Sequence, residues 1–141
     1  MTATIVHCTE YRVRYSDTDK MGVVYYGNYM RLFEIGRTEL LRSAGLPYAE
    51  LEAEGYLMPV LEAHAQYLSP ARYDDVVTIE TSYTMEHSPV LVLRYELRRG
   101  SDTLASGWTR HSFVSATEFK PVRPPRRFFD AMASYNQSPG A

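Results

Sequence analysis

Residues 15–39 read YSDTDKMGVVYYGNYMRLFEIGRTE, a polar turn followed at once by an amphipathic helix. The turn carries two carboxylates, Asp17 and Asp19, and one glycine, Gly22. The first turn of a helix has backbone N–H groups without partners and the positive end of the helix dipole, and both stabilise an oxyanion. The stretch therefore predicts an acid or base beside an oxyanion site, two of the groups that acyl-transfer chemistry needs.

The helix that follows has one apolar face. From Tyr29, apolar or small residues recur at helical spacing at Leu32, Phe33, Gly36, Leu40 and Ala44. Gly45 and Pro47 are typical of a helix end. A second, shorter helix is predicted from Tyr48 to Glu54. The spacing indicates a long helix that must bury one face against another layer.

The rest of the chain has the period of β-strands. Tyr11, Val13 and Tyr15 alternate with polar residues and predict a first strand that leads into the turn. Four more strands are predicted at residues 58–68, 77–85, 91–97 and 104–114, and a short final helix is predicted at 126–135. One long helix followed by a β-meander can bury its face only against that sheet, so the predicted fold class is α+β.

The composition is that of one globular domain. The 141 residues are 45% hydrophobic and 23% charged, and the net charge of −2 gives no sign of nucleic-acid binding. No secretory signal and no apolar run long enough to span a membrane is present, so a cytoplasmic protein without membrane insertion is expected. Residues 1–141 are predicted to form one domain with a disordered tail at 136–141.

The cysteine and histidine residues do not indicate a metal site. Cys8 is the only cysteine, so an internal disulfide is excluded and no zinc site is expected. Cys8 is interpreted as a buried or simply free thiol. His64, His87 and His111 show no pattern of a catalytic triad.

Three segments resemble one protein family. They are the turn and helix of residues 17–39, the segment Ser69-Pro70-Ala71-Arg72-Tyr73-Asp74-Asp75 and the segment Lys120-Pro121-Val122-Arg123-Pro124-Pro125. They resemble the 4-hydroxybenzoyl-CoA thioesterase-like hotdog family and, within it, the small acyl-CoA thioesterases associated with the Tol-Pal system. The resemblance implies a hotdog fold, in which a five-stranded antiparallel sheet wraps one long helix, and a homodimer that assembles further into a tetramer. Exposed strand edges lead to the same expectation of an oligomer.

The resemblance also implies a site without metal or redox cofactor. Asp19 matches the family's nucleophile or general base, and the backbone N–H of Tyr26 matches the group that polarises the thioester carbonyl. From the residues alone, a structural turn is the favoured interpretation of both aspartates, and Asp17 keeps that structural role. Gly22, Val23 and Tyr25 are expected at the substrate, although core packing is an equal interpretation of Tyr25 and Tyr26.

Tyr26 stands where the Tol-Pal-associated branch commonly has histidine, so this departure leaves the acyl preference open. Glu34 on the helix is the reserve candidate for the catalytic carboxylate. Arg31 and Arg37 lie three residues on either side of it, a spacing that is also typical of surface ion pairs.

Binding of CoA requires basic groups for its phosphates. The candidates are Arg72, Arg110, Lys120 and Arg123, and solvated surface charges are the alternative interpretation. The predicted function is hydrolysis of an acyl-CoA or aroyl-CoA. The main alternative is a non-catalytic hotdog domain that binds an acyl ligand, and a hydratase is weaker because Val24 and Tyr25 replace the residues of its motif.

Overall fold

One long helix lies across a five-stranded antiparallel sheet in the computed structural model, which describes residues 4–86 and 88–137. The strands are β1 (Thr4–Arg12), β2 (Tyr56–Leu57), β3 (Val60–Tyr67), β4 (Val76–Thr84), β5 (Val90–Arg99), β6 (Asp102–Ser112) and β7 (Val114–Ser115). The helices are α1 (Asn28–Ser43), α2 (Tyr48–Ala53) and α3 (Arg126–Gln137). The large sheet has the order β1-β4-β5-β6-β3, and β2 pairs with β7.

The predicted α+β arrangement of one long helix and five antiparallel strands is confirmed. α3 includes residues 136 and 137 of the predicted disordered tail. Residues 138–141 and His87 lie outside the described part of the chain. Among residues 4–86 and 88–137, no helix is both long and apolar enough to cross a membrane.

The contact between α1 and the sheet depends on two glycines. A Cβ atom at Gly36 would lie 2.3 Å from Thr81 Oγ1, and one at Gly107 would lie 2.6 Å from the Phe33 ring. The Phe33 ring stacks on Tyr95 with 4.4 Å between centroids. Because these positions carry no side chain, α1 can lie close to β4 and β6.

The predicted buried faces are largely confirmed. Leu32, Phe33, Gly36 and Leu40 are buried on α1, and Ala44 is half-buried. On β4 and β5, the buried residues are Val77, Ile79, Thr81, Tyr83, Leu91, Leu93, Tyr95 and Leu97. The period of two therefore identified the face of the sheet that α1 covers.

The predicted first strand is wrong in its position. β1 ends at Arg12, and a single 3-10 turn spans Tyr15–Asp17. The Asp17 carboxylate accepts a hydrogen bond from the Arg14 N–H at 2.8 Å and so turns the chain out of the sheet. Tyr15 is consequently 74% exposed and stacks on Tyr73.

The predicted last strand is interrupted. β6 ends at Ser112, and β7 begins at Val114. Phe113 between them is fully buried, its ring lies 5.3 Å from that of Phe128, and its carbonyl accepts the Val122 N–H. The chain therefore leaves the large sheet where this aromatic side chain enters the core.

The two edges of the large sheet differ in their cover. At β1, α3 packs against the edge, and the Tyr135 hydroxyl donates to the Val6 carbonyl at 3.2 Å. Every residue of β3 is exposed except Ala65, which is half-buried. Val60, Leu61 and Tyr67 are each 46% exposed. Within the described part of the chain, β3 is thus an uncovered edge with apolar side chains.

Candidate active site

Asp17 is buried and fully bound by its neighbours. Its carboxylate accepts the Tyr11 hydroxyl at 2.7 Å and the Arg14 N–H at 2.8 Å, and it forms an ion pair with Arg31. Its carbonyl accepts the Tyr25 N–H and the Asn28 side-chain amide. The structural role predicted for Asp17 is confirmed, because its bonds join β1, the turn and α1.

Asp19 is two residues further along and is only half-buried. One carboxylate oxygen accepts the Met21 N–H at 2.9 Å. No other described residue donates to this carboxylate. Asp19 lines a cleft of about 340 Å³ whose wall includes Val23, Tyr26, Tyr29, Tyr67 and Leu68. The carboxylate can therefore receive a proton from, or form a bond to, a molecule in the cleft.

The loop that carries Asp19 is held at both ends. The Asp19 N–H donates to the Val23 carbonyl, and the Gly22 N–H donates to the Asp19 carbonyl, each at 3.0 Å. Gly22 has φ +79°, a backbone conformation that is strained for residues with a side chain. The Val24 N–H donates to the Ala71 carbonyl at 2.8 Å. These bonds attach the loop to the segment before β4.

That segment is fixed by Asp75. The Asp75 carboxylate accepts the Arg72 N–H at 2.8 Å and pairs with Arg99 at 2.8 Å. Burial acts to raise the pKa of Asp75, but the Arg72 N–H and the Arg99 guanidinium outweigh it and lower the pKa. The ionised carboxylate thus keeps residues 70–75 in place along the cleft.

The N-terminus of α1 has donors without partners. Gly27 precedes the first helical residue, and no side chain caps the helix there. Asn28 and Tyr29 donate their N–H groups to the carbonyls of Tyr25 and Tyr26. For the N–H groups of Tyr26 and Gly27, residues 4–86 and 88–137 supply no acceptor. Tyr26 lines the Asp19 cleft, so its free N–H and the dipole of the 16-residue helix are available to an oxyanion.

Tyrosines surround this end of α1. The Tyr67 hydroxyl donates to the Tyr26 carbonyl at 3.2 Å, and its ring meets Tyr29 edge to face at 5.0 Å. Tyr25 covers Tyr26 with 4.7 Å between ring centroids. Hydrogen bonding with Tyr26 raises the pKa of Tyr25, and burial raises the pKa of Tyr29 and Tyr67. These phenols therefore remain neutral hydrogen-bond donors at neutral pH.

Tyr67 is absent from the residues predicted from the sequence. It ends the exposed strand β3 and is 41 residues from Tyr26 along the chain. The sequence signal that points to it is its position two residues before Ser69, where the segment that resembles the family begins.

Glu34 lies apart from the Asp19 cleft. Its side chain is exposed on α1, and it is not among the residues that line the cleft. The spacing of Arg31 and Glu34 is typical of a surface ion pair, but among residues 4–86 and 88–137 Arg31 pairs with the buried Asp17 instead. Arg37 contacts the buried Tyr95 side chain, and no ion pair joins it to Glu34 among the described residues.

The four basic candidates are not brought together. Arg72 is nearest to the cleft, since it pairs with Val23 across an isolated β-bridge. Arg110 lies on the face of the sheet away from α1 and forms an ion pair with Glu62. Lys120 and Arg123 are exposed beyond β7, at the opposite end of the strands.

A second polar cluster is closed within the core. The Tyr95 hydroxyl and Thr109 Oγ1 are 2.5 Å apart, Thr109 Oγ1 lies 2.8 Å from His111 Nε2, and His111 Nδ1 lies 3.3 Å from the Met58 carbonyl. Burial and the nearby Arg37 guanidinium lower the pKa of His111 to about 4. The cluster of the neutral imidazole therefore links β6 to β5 and to the segment between β2 and β3, and His111 does not line the Asp19 cleft.

Comparisons with known proteins agree with this geometry. The model of the thioesterase-like superfamily matches residues 13–132. The acyl-CoA thioesterase YbgC of Haemophilus influenzae is 32% identical over 116 residues, which are 82% of this chain and 85% of that protein. The Escherichia coli O157:H7 acyl-CoA thioester hydrolase YbgC is 37% identical over 93 residues, 66% of this chain and 69% of that protein.

A solved structure shows the same fold. The DHNA-CoA thioesterase from Staphylococcus aureus superposes with a TM-score of 0.85 at 32% sequence identity. The match covers 94% of this chain and 90% of that chain. The fold of this chain therefore has a counterpart in a solved thioesterase over nearly its whole length.

Proposed function

The chain belongs to the thioesterase-like superfamily of hotdog proteins, and on this premise we propose that it hydrolyses the thioester of an acyl-CoA or aroyl-CoA. The predicted family and enzyme class, a thioester hydrolase, are confirmed by these relatives. Our proposal adds the groups that perform the reaction. Asp19 acts on the acyl carbon, and the N-terminus of α1 holds the oxyanion.

One observation carries this assignment. Asp19, whose carboxylate accepts one N–H, and Tyr26, whose own N–H has no acceptor among the described residues, line the same cleft. Elsewhere near this cleft the carboxylates are occupied, as Asp17 and Asp75 show. A group left without internal partners is the one that can act on a substrate.

The reaction follows from the two groups. The thioester carbonyl oxygen accepts the Tyr26 N–H, which stabilises the negative charge that forms on it. Asp19 either takes a proton from water, so that hydroxide adds to the carbonyl carbon, or adds to that carbon itself. The carbon–sulfur bond then breaks, and the CoA thiolate leaves and is protonated. In the first case the free acid forms directly. In the second case a mixed anhydride between the acyl group and Asp19 remains, and water adds to its acyl carbon and breaks the bond to Asp19, which releases the free acid and restores the carboxylate.

The acyl group meets a wall of tyrosines. Tyr26, Tyr29 and Tyr67 line the cleft, and Val23 and Leu68 add apolar surface. Of the other predicted contact residues, Gly22 shapes the loop and Tyr25 covers Tyr26. Such a wall suits an apolar or aromatic acyl group, with phenol hydroxyls for polar substituents.

We propose that the enzyme is a dimer built on β3. Its exposed backbone edge and its apolar residues Val60, Leu61 and Tyr67 form a surface that a second copy can extend into one continuous sheet. Because Tyr67 ends this strand and also lines the cleft, pairing there brings the partner subunit next to the cleft. Further assembly into a tetramer and the cytoplasmic location remain predictions.

The direct test is a hydrolysis panel with short-chain, long-chain and aromatic acyl-CoAs, in which the release of free thiol measures turnover. We expect turnover with at least one class and its loss in Asp19→Asn. If the panel is bound but not turned over, the chain is the non-catalytic acyl-binding domain instead. If Glu34→Gln rather than Asp19→Asn abolishes turnover, the catalytic carboxylate lies on α1.

Light scattering at micromolar concentration tests the assembly. A charged residue in place of Leu61 on β3, as in Leu61→Arg, should dissociate the dimer and lower activity. The matched control is Phe119→Arg, because Phe119 is also exposed but lies away from β3. Met21→Arg is unsuitable as a control, because Met21 lines the Asp19 cleft. A fully active wild-type monomer contradicts the shared edge.

A further inference from the structure

One peptide unit carries the free donor of the Asp19 cleft. The Tyr26 N–H belongs to the peptide unit that links Tyr25 to Tyr26, and among the residues that the structure describes it has no acceptor. In a trans peptide, the carbonyl and the N–H lie in one plane and point in opposite directions. No cis peptide bond occurs in the described part of the chain. The direction of the Tyr26 N–H therefore depends on what holds the Tyr25 carbonyl.

Asn28, the first residue of α1, holds Tyr25 in two ways. Its backbone N–H donates to the Tyr25 carbonyl at 2.9 Å. Its side-chain amide donates to the Asp17 carbonyl at 2.8 Å, and the same carbonyl accepts the Tyr25 N–H at 2.9 Å. A carbonyl oxygen has two lone pairs, so these two bonds fill the Asp17 acceptor. Both backbone groups of Tyr25 are thus tied to Asn28, one directly and one through Asp17.

The bond to the Tyr25 carbonyl also strengthens the free donor. Hydrogen bonds in a chain polarise one another, so a carbonyl that accepts a bond makes the N–H of its own peptide unit a better donor. The Asn28 N–H acts on the Tyr25 carbonyl in this way, and the donor that benefits is the Tyr26 N–H. An aligned and polarised donor stabilises the transition state most, because the charge on the thioester oxygen is largest there.

The Asn28 side chain leaves the end of α1 open. An asparagine directly before a helix commonly caps it, because its side-chain oxygen accepts an N–H of the first turn. Here Gly27 occupies that position, and the Asn28 amide donates to Asp17 outside the helix instead. Only the NH2 group of the amide can face a carbonyl oxygen, which fixes the orientation of the side chain. The Tyr26 and Gly27 N–H groups consequently stay available to a ligand.

Asn28 itself does not line the cleft. Tyr26 is among the residues of the cleft wall, whereas Asn28 is not, and its side chain is half-buried against the turn. Asp17, whose carbonyl it binds, is buried. Asn28 can therefore act on a substrate only through the position of the Tyr26 N–H.

We propose that Asn28 is a positioning residue for the oxyanion site, because its two hydrogen bonds fix the peptide unit that presents the Tyr26 N–H to the thioester oxygen. The inference rests on the proposed function and adds to it a residue outside the cleft. The side chain acts through the backbone carbonyl of Asp17 and not through its carboxylate, so Asp17→Asn keeps this bond.

Kinetics of Asn28→Ala give the first measurement. With the best acyl-CoA of the panel, kcat should fall about thirtyfold, less than the roughly hundredfold loss typical of a deleted oxyanion donor. KM should stay within about twofold, because the lost alignment acts in the transition state. Ser43→Ala is the matched control, since it removes a side-chain bond to the Leu40 carbonyl at the other end of α1 and should retain kcat.

Asn28→Asp separates the hydrogen bond from the shape of the side chain. Aspartate has nearly the same shape but cannot donate to the Asp17 carbonyl. A carboxylate is favourable in the first turn of a helix, so this variant should fold even if Asn28→Ala does not. Its kcat should fall at least as far as that of Asn28→Ala.

The carbonyl vibration of a bound thioester measures the oxyanion site itself. Benzoyl-CoA labelled with carbon-13 at the thioester carbonyl is bound to Asp19→Asn, and its isotope-edited infrared band is compared with that of the free thioester. A hydrogen bond from Tyr26 should lower the stretching frequency. Adding Asn28→Ala or Asn28→Asp should abolish most of this shift, whereas adding Ser43→Ala should keep it. A merely structural role of Asn28 would leave the shift unchanged.

Three results overturn the proposal. One is wild-type kcat in a folded Asn28 variant, and another is a lower kcat with the full band shift retained. The third is the absence of a shift when Asn28 is intact, which also removes Tyr26 from the oxyanion site. If wild type binds benzoyl-CoA but hydrolyses no acyl-CoA, the proposed function fails, and the band in wild type and in Asn28→Asp still decides the role of Asn28.

Discussion

Asp17 and Asp19 are two residues apart in one turn, yet the fold uses them in opposite ways. Asp17 is 3% exposed, and its carboxylate binds Tyr11, Arg14 and Arg31. Asp19 is half-buried, and its carboxylate accepts one backbone N–H within the described chain. An aspartate side chain thus stabilises the fold at position 17 and is available to react at position 19.

The contrast between the two carboxylates separates groups that stabilise the fold from groups that can react. A carboxylate whose bonds are satisfied contributes to stability, since removing it leaves its partners unpaired. A carboxylate with free lone pairs beside unpaired N–H groups is available to a substrate. Changes at the closed cluster should therefore act on unfolding, and changes at the open cleft should act on turnover.

The largest stability effect is expected at Asp17. Asp17→Ala leaves Arg31, the Tyr11 hydroxyl and the Arg14 N–H without their acceptor, so the free energy of unfolding should fall by about 3 kcal/mol. Urea unfolding followed by circular dichroism measures the change. Asp19→Ala is the matched control and should lose less than about 1 kcal/mol. Equal losses in the two variants would erase the distinction between the two carboxylates.

The buried cluster of Tyr95, Thr109 and His111 makes the stability of the fold depend on pH. Because the pKa of His111 is lowered to about 4 in the fold, the unfolded chain binds a proton at higher pH than the folded chain does. Stability contributed by the neutral imidazole is complete above about pH 6.5 and is lost as pH falls towards 4. The loss should be about 3 kcal/mol at most.

Unfolding midpoints across this pH range test the assignment to His111. His111→Gln cannot titrate and should show a flatter profile, whereas His64→Gln, at an exposed histidine stacked on Trp108, should keep the wild-type slope. A wild-type slope in His111→Gln assigns the pH dependence to other groups. At neutral pH His111 is already neutral, so its titration should not affect kcat.

A smaller effect is expected at Tyr67, which links the open cleft to β3. Tyr67→Phe removes the hydrogen bond to the Tyr26 carbonyl but keeps the ring against Tyr29. Because one exposed hydrogen bond contributes about 1 kcal/mol, kcat should fall about fivefold with little change in unfolding. Steady-state kinetics measure this, with Tyr73→Phe, outside the cleft, as the control. An unchanged kcat would show that this hydrogen bond does not position the α1 terminus.

The sequence predicted the features that depend on the spacing of residues close together in the chain. The buried positions Leu32, Phe33, Gly36 and Leu40 follow from helical period, and Val77 to Tyr83 follow from the period of a strand. The structural role of Asp17 was also accessible, because aspartate in a turn bonds to nearby backbone N–H groups.

What the sequence missed depends on contacts between distant segments. Tyr67 reaches Tyr26 only because β3 and α1 meet after folding, and no spacing rule connects residues 41 apart. Arg31 has the spacing of a pair with Glu34 but reaches Asp17, since a buried carboxylate without a cation is far more costly than a solvated one. The face on which Arg110 lies follows from its register with Glu62, which only the sheet defines.

The most direct test of the account compares kcat of Asp19→Asn and Asp17→Asn with the best acyl-CoA of the panel. Asn keeps the shape and much of the hydrogen bonding at both positions but removes charge and basicity. Asp19→Asn should lower kcat by roughly two or more decades at wild-type stability, because a general base or nucleophile is lost. Asp17→Asn should be less stable and, where folded, retain kcat within about tenfold. Near wild-type kcat in a folded Asp19→Asn enzyme would contradict the assignment of Asp19 as the catalytic carboxylate.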